Sequence, residues 1–263
     1  RFYDPGARFV PFGMVVWWEE DQDALLIDNK MAVWARTPLA PPEKSARKRT
    51  GRFKLSEDGT LEGDVRLEFT GHLSYAHKLS NYENSSVQQE EALKSEVKEL
   101  FAAGEVTDIH IENVNEPKKN FVYTFKIKIP GYAQRTGKRL LVRPGFFEHG
   151  TGARFTSNER RYDVYFKYPW SDEDDVVIEL PLGFAPDNAE NPAPITPAMT
   201  QGVSGLDIKI RLSEDKRILT YHRSFFFGGK GAIFFSKTTY PSIKEIFTRI
   251  RTADDHSLAL RQP

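Results

Sequence analysis

The chain has 263 residues, with 37 Lys+Arg against 37 Asp+Glu and no cysteine. A net charge of zero gives no global field toward nucleic acid or an anionic membrane. The missing thiols exclude cysteine catalysis, disulfides and thiolate metal sites together. No run of about 18 apolar residues is present to span a bilayer as a helix.

The opening Arg1-Phe2-Tyr3-Asp4-Pro5 carries neither an initiating Met nor a basic segment leading into an apolar one, and reads as the interior of a longer protein. Residues 1–43 are rich in proline and aromatics and end in Pro38-Leu39-Ala40-Pro41-Pro42, the composition of an extended connector. The basic stretch Lys44 to Arg52 reads as a solvated linker or strand edge or, less simply, as a contact for an anionic partner. Alternation then begins: Phe53-Lys54-Leu55 and the run Leu61 to Phe69 flank a turn at Glu57-Asp58-Gly59-Thr60. Strands are expected at His72–Leu79, Val106–Val114, Phe121–Ile129 and Arg139–Arg143. One helix interrupts them from Ser85 to Gly104, opened by the capping box Ser85-x-x-Gln88 and striped by Leu93, Val97, Leu100 and Phe101.

The second half repeats the β theme at Tyr162–Tyr168, Val176–Leu180, Leu206–Leu212, Arg217–Phe227 and Ala232–Phe235. Gly228-Gly229-Lys230-Gly231 signals a hairpin between the last two, and the prolines between Pro181 and Pro197 signal a loop. A short helix follows from Ser242 to about Arg251, and a last strand at Ser257–Leu260. With aromatics at 13%, the expected fold is mainly β. It comprises antiparallel, β-sandwich-like subdomains at 44–145 and 146–263, one packing helix (85–104) and a short C-terminal helix (242–251).

Candidate chemistry is sparse. Trp17-Trp18-Glu19-Glu20 sets aromatic faces beside carboxylates, as a sugar cleft would, yet adjacent strand residues point to opposite faces and cannot flank one glycosidic bond. Gly202-Val203-Ser204-Gly205 lacks the final glycine of a nucleophile elbow, and Gly228-Gly229-Lys230-Gly231 lacks the spacing and the Ser/Thr of a phosphate loop. His72, His77, His110, His149, His222 and His256 show no zinc spacing. Asp172-Glu173-Asp174-Asp175 lacks the ligand alternation and glycine of a calcium loop and reads as a solvated loop before a strand. Phe225-Phe226-Phe227 and Phe234-Phe235 suggest a strand buried on two sides or, less simply, an aromatic patch for a partner. No cofactor or metal is implied.

Taken in order, Asp4-Pro5, Pro11-Phe12-Gly13, Ala24-Leu25-Leu26-Ile27 and Thr37-Pro38 resemble the chain leaving the catalytic core of bacterial transglutaminase-like proteins that carry flanking β domains. The similarity continues through Asp58-Gly59-Thr60-Leu61-Glu62-Gly63, Gly71, Ile178 to Phe184, and Tyr240 to Phe247. The resemblance implies a Cys–His–Asp triad for acyl transfer or amide hydrolysis, with Asp4 matching its third member. Gly6 replaces the family's usual Thr, and Val16 stands where Pro is common. The Cys and His would belong to an upstream core outside this chain, so Asp4 alone is inactive. The resemblance also implies a periplasmic or secreted location and makes residues 1–43 the edge of that core plus a linker. Phe2, Tyr3, Phe9, Phe12 and Val15 are then expected to fold back on the β region or pair with a neighbour, leaving Asp4 near the surface without a histidine beside it.

Two readings result. One is a non-catalytic β-sandwich accessory or scaffold region that docks a protein partner, the missing core among them. The other is a self-standing module binding a glycan, cell-wall or protein ligand.

Overall fold

The computed structural model describes residues 2, 4–27, 30–187 and 189–262. In chain order the elements are β1 (Asp23–Ile27), β2 (Ala32–Arg36), β3 (Ala46–Leu55), β4 (Leu61–Phe69), α1 (Gly71–Asn81), α2 (Ser86–Leu100), β5 (Glu105–Glu112) and β6 (Phe121–Ile129). There follow β7 (Gln134–Thr136), β8 (Arg139–Val142), β9 (Val164–Tyr165), β10 (Trp170–Glu179), β11 (Ala185–Pro186), β12 (Ser204–Leu212), β13 (Ile218–Phe227), β14 (Phe234–Phe235), α3 (Tyr240–Asp254) and β15 (Leu258–Arg261). The fold is mainly β, as its alternating segments imply.

A seven-stranded sheet in the order β12-β13-β10-β3-β4-β6-β5 organises the molecule. Its neighbours run antiparallel except β3 and β10, which are parallel. Strands from 44–145 and 146–263 therefore meet in the middle of one sheet. One contiguous core, from Phe53 to Leu260, covers its inner face. Beyond the sheet lie the four strands β11-β15-β8-β7, the pair β9–β14 and the hairpin β1–β2. The β3–β4 turn forms as its sequence dictates: Gly59 takes φ +86°, and the Thr60 amide donates to Asp58 Oδ1 at 2.9 Å.

Several local expectations give way to tertiary contacts. His72–Leu79 is helix α1, not a strand. Leu73, Tyr75 and His77 imitate β alternation, but the buried set His72, Tyr75 and Lys78 repeats every three residues. Its lysine finds partners: Lys78 Nζ donates to the carbonyls of Glu116 (2.8 Å) and Lys119 (2.5 Å). Lys44 to Arg52 is no linker or edge; most of it is β3, flanked by β4 and β10. Asp172-Glu173-Asp174-Asp175 is not a loop but the first half of β10. The Tyr162–Tyr168 strand shrinks to two residues. Gly228 to Gly231 is a tight turn rather than a hairpin, because β13 pairs with β10 and β12 while β14 pairs with β9. On α2 the capping box forms, and Leu93, Val97 and Phe101 are buried, whereas Leu100 is 46% exposed.

The N-terminal segment folds back on the β region. Phe9 and Val16 bury against Tyr75 of α1 in a small second cluster. Val15 is buried as well, Phe12 faces outward, and Tyr3 lies outside the described residues.

Candidate functional site

Side chains alternate along each strand, so registered residues form rows across the inner face. One row reads Arg223 on β13, Asp174 on β10, Arg49 on β3, Leu67 on β4 and Tyr123 on β6. The next reads Phe225, Asp172, Arg47, Phe69 and Phe121. Each row is charged near the sheet's centre and apolar toward β6.

The charges interlock. Arg47 forks onto Asp172 (2.6 and 2.8 Å), and Arg49 forks onto Asp174 (2.6 and 2.8 Å) while also reaching Glu148 (2.5 Å). Arg223 forks onto Asp254 at the end of α3 (2.7 and 2.9 Å). Bidentate geometry of this kind is the strongest form of the arginine–carboxylate contact. The remaining Arg223 nitrogen, Nη1, has no hydrogen-bond partner; Asp172, Asp174 and Glu148 oxygens stand 3.7–3.9 Å away.

Three guanidiniums thus face four carboxylates in a dry setting. Burial pushes Asp254 up to about 6, against the pull of Arg223. Burial likewise raises Asp174 despite Arg49 and Arg223. For Asp172 and Glu148 the burial cost is outweighed by the neighbouring arginines, and both are held below the usual range. Such a cluster stabilises little in net terms, but losing one member strands its partners.

Over these rows lies a cleft of about 620 Å³, walled by α2 on one side and α3 on the other. Leu67, Phe69, Leu73, Leu100 and Phe125 make its apolar end; Arg47, Asp172, Arg223 and Arg154 make its charged end. Arg154 differs from the other arginines there. Its guanidinium sits 4.9–5.1 Å from the ring centres of Trp170, Phe166 and Phe247, and among the described residues no carboxylate comes within ion-pair distance. Burial, then the like charge of Arg47, lowers its pKa. The volume and the mixed lining suit a small-molecule site.

The residues singled out from sequence do not converge here. Asp4 is half-buried and accepts the Gly6 amide at 2.7 Å, an ordinary turn contact. A histidine does meet the N-terminal segment, but through Glu20: His72 Nε2 and Glu20 Oε1 are 2.9 Å apart, both buried, with the His72 ring on Tyr168. Trp17 lies under Lys167 and Trp18 is exposed, so the carboxylate-aromatic run packs rather than forming a cleft. Ser204 Oγ donates to the Phe226 carbonyl at 2.7 Å, and Lys230 Nζ to that of Gln201 at 3.1 Å.

Of the other histidines, His77 lies on Phe69 and Phe121 at the cleft wall, and burial and Arg47 press it down to about 4. His222 contacts Asp175 (2.8 Å) on the outer face, His110 sits on β5, His149 lies against Phe101 and Tyr132, and His256 precedes β15. Among the described residues no group of three or more His, Asp or Glu is placed to hold a metal. Phe225 and Phe227 face the core, while Phe234 is exposed.

The ionic rows are what sequence reasoning missed. The signal was present in two matching patterns, Arg47-x-Arg49 and Asp172-x-Asp174, each putting two like charges on one face of a strand. No family model, curated protein or solved structure matches this chain.

Proposed function

We propose that the chain is a non-catalytic accessory region of a transglutaminase-like protein, acting as scaffold and docking surface for the Cys- and His-bearing core that the resemblance implies. The observation that carries this reading is the hairpin β1–β2. Leu25 stands opposite Trp34 and Leu26 opposite Val33, so both faces of a two-stranded sheet are apolar. Trp34 is 71% exposed and Leu26 49%. Each large apolar side chain left in water forgoes roughly 1.5–3 kcal/mol, and an isolated hairpin is marginal without a surface to lie on. In this reading Asp4 is the orienting carboxylate of a triad completed by the core, and the protein works in the periplasm or outside the cell.

The test is calorimetric titration of this chain with a separately produced transglutaminase-like core. Trp34→Ser with Leu26→Ser should abolish binding and leave the melting temperature unchanged. Undiminished binding, or a large loss of thermal stability, would count against docking through the hairpin.

A second reading, a self-standing binding module, is favoured by the 620 Å³ cleft. Saturable uptake of a small ligand by the chain alone would support it.

A further inference from the structure

We propose that the cleft between α2 and α3 binds a single-chain amphipathic anion, an acyl chain ending in a carboxylate or phosphate, with Arg154 holding the head group. This rests on the binding-module reading and not on the hairpin, whose variants leave it untouched.

The cleft is graded along its length. The β4 and β6 side carries Leu67, Phe69, Phe125 and Ile127, joined by Leu73 of α1 and Leu100 of α2. That wall offers a tail mainly apolar contact, interrupted by His77 of α1 and Glu96 of α2. Leu100 is half open to water, although it belongs to the helix stripe that packs on the sheet. An acyl chain lying along the wall covers it.

At the other end, the cations differ in availability. Arg47, Arg49 and Arg223 already hold carboxylates in two-point contacts. Arg251 has Asp255 at 3.5 Å. Arg154 has only aromatic faces, from Phe166, Trp170 and Phe247. Contact with ring faces leaves the N–H donors of a guanidinium without an acceptor, and a carboxylate or phosphate supplies one. Its pKa is lowered by burial of the guanidinium among the rings, although the residue is exposed, and then by Arg47, with Asp172 opposing; an anion beside it offsets the Arg47 repulsion. The buried ion pairs behind it fix the floor; Asp172 acts on Arg154 at a distance but makes its direct contacts with Arg47. One feature points the other way: Glu96 of α2 also lines the cleft and has no cation within ion-pair distance among the described residues. It would favour a cationic amphiphile, so the test must separate the two.

Trp170 lines the charged end and reports occupancy. The unaltered chain is titrated with brominated dodecanoate below its micelle concentration, following tryptophan quenching. Dodecanoate, dodecyl phosphate, dodecanol and dodecylammonium then compete. Saturable quenching that Trp170→Phe removes is expected, with both anions competing at least tenfold better than the alcohol or the ammonium ion. Whichever anion competes better identifies the head group.

Arg154→Ala should weaken the anions roughly tenfold to a hundredfold and leave the alcohol unchanged, the size of a lost charged hydrogen bond. Arg154→Lys should restore part of the loss. The acid–alcohol comparison uses the unaltered chain and stands even if a variant fails to fold. Equal competition by the alcohol would overturn anion recognition while keeping the cleft as a binding site. Preference for the ammonium ion would overturn it in favour of Glu96. No saturable quenching by any chain would sink the inference and leave the binding-module reading to glycan, cell-wall or protein ligands.

Discussion

Arg49 is 7% exposed and bonded to two carboxylates, so its removal strands both in a dry interior. Arg49→Leu should cost about 3–5 kcal/mol, whereas Arg49→Leu with Asp174→Leu should recover part of that loss and no more, because Glu148 still lacks the guanidinium it bonds. Urea denaturation of the two variants checks it; equal losses would mean the pair itself is strongly stabilising. Two further residues set the response to pH. His77 is held down to about 4 from 6.5, so the unfolded chain takes up its proton first and stability is lost as pH falls through that window. At its full extent this amounts to about 3 kcal/mol. Asp254 is pushed up to about 6 from 3.8, so here the folded chain takes up the proton first and stability is gained as pH falls between those values. The two effects oppose each other. His77→Phe should therefore make the folded chain gain stability on acidification relative to the unaltered protein, and Asp254→Asn should make it lose stability. Denaturation curves across the window decide the sign for each. Single residues were the least legible part of the sequence: Arg47-x-Arg49 and Asp172-x-Asp174 each mark two like charges on one strand face, but neither says that the other pattern is its partner.

Helix α2 shows what a sequence does disclose. Its capping box is a local contact, with Ser85 and Gln88 three residues apart, and it forms as written. Ser85→Ala should cost about 1 kcal/mol. Leu93→Ala should cost about 2–5 kcal/mol, since Leu93 is buried. Leu100→Ala should stay within about 0.5 kcal/mol in the absence of ligand. The ranking is read from urea midpoints, and a Leu100 effect equal to that of Leu93 would contradict the observed packing. Helix α1 was illegible for the complementary reason. Lys78 and Ser74 are buried because distant groups satisfy them, among them the Phe121 amide that donates to Ser74 Oγ. A polar residue counted as outward-facing gave its segment the wrong period.

At the scale of the whole molecule, the mainly-β composition and most strand positions were readable from alternation and turns. The order of strands was not. β3 finds β10 across 125 residues, and nothing local to either announces the other. The cleft was hidden for the same reason, since its charged end exists only once β3, β10, β13 and α3 are assembled.

The parallel pairing of β3 with β10 has a consequence for the growing chain. β4 follows β3 directly and covers one of its edges early, but the other edge must wait until β10 has been made. Through that interval an open strand is a template for the wrong neighbour. Arg47 and Arg49 guard it, because a strand without carboxylates at matching positions would bury two unanswered charges. A slip of one residue would turn Asp172 and Asp174 to the opposite face and forfeit both pairs. The arginines thus act as a lock that a single register of a single strand opens. The leucine pair at Arg49 and Asp174 should accordingly lower the yield of monomer on rapid refolding at high protein concentration by more than its loss of equilibrium stability explains, as measured by light scattering. Refolding as clean as that of the unaltered chain would show that the edge needs no guard.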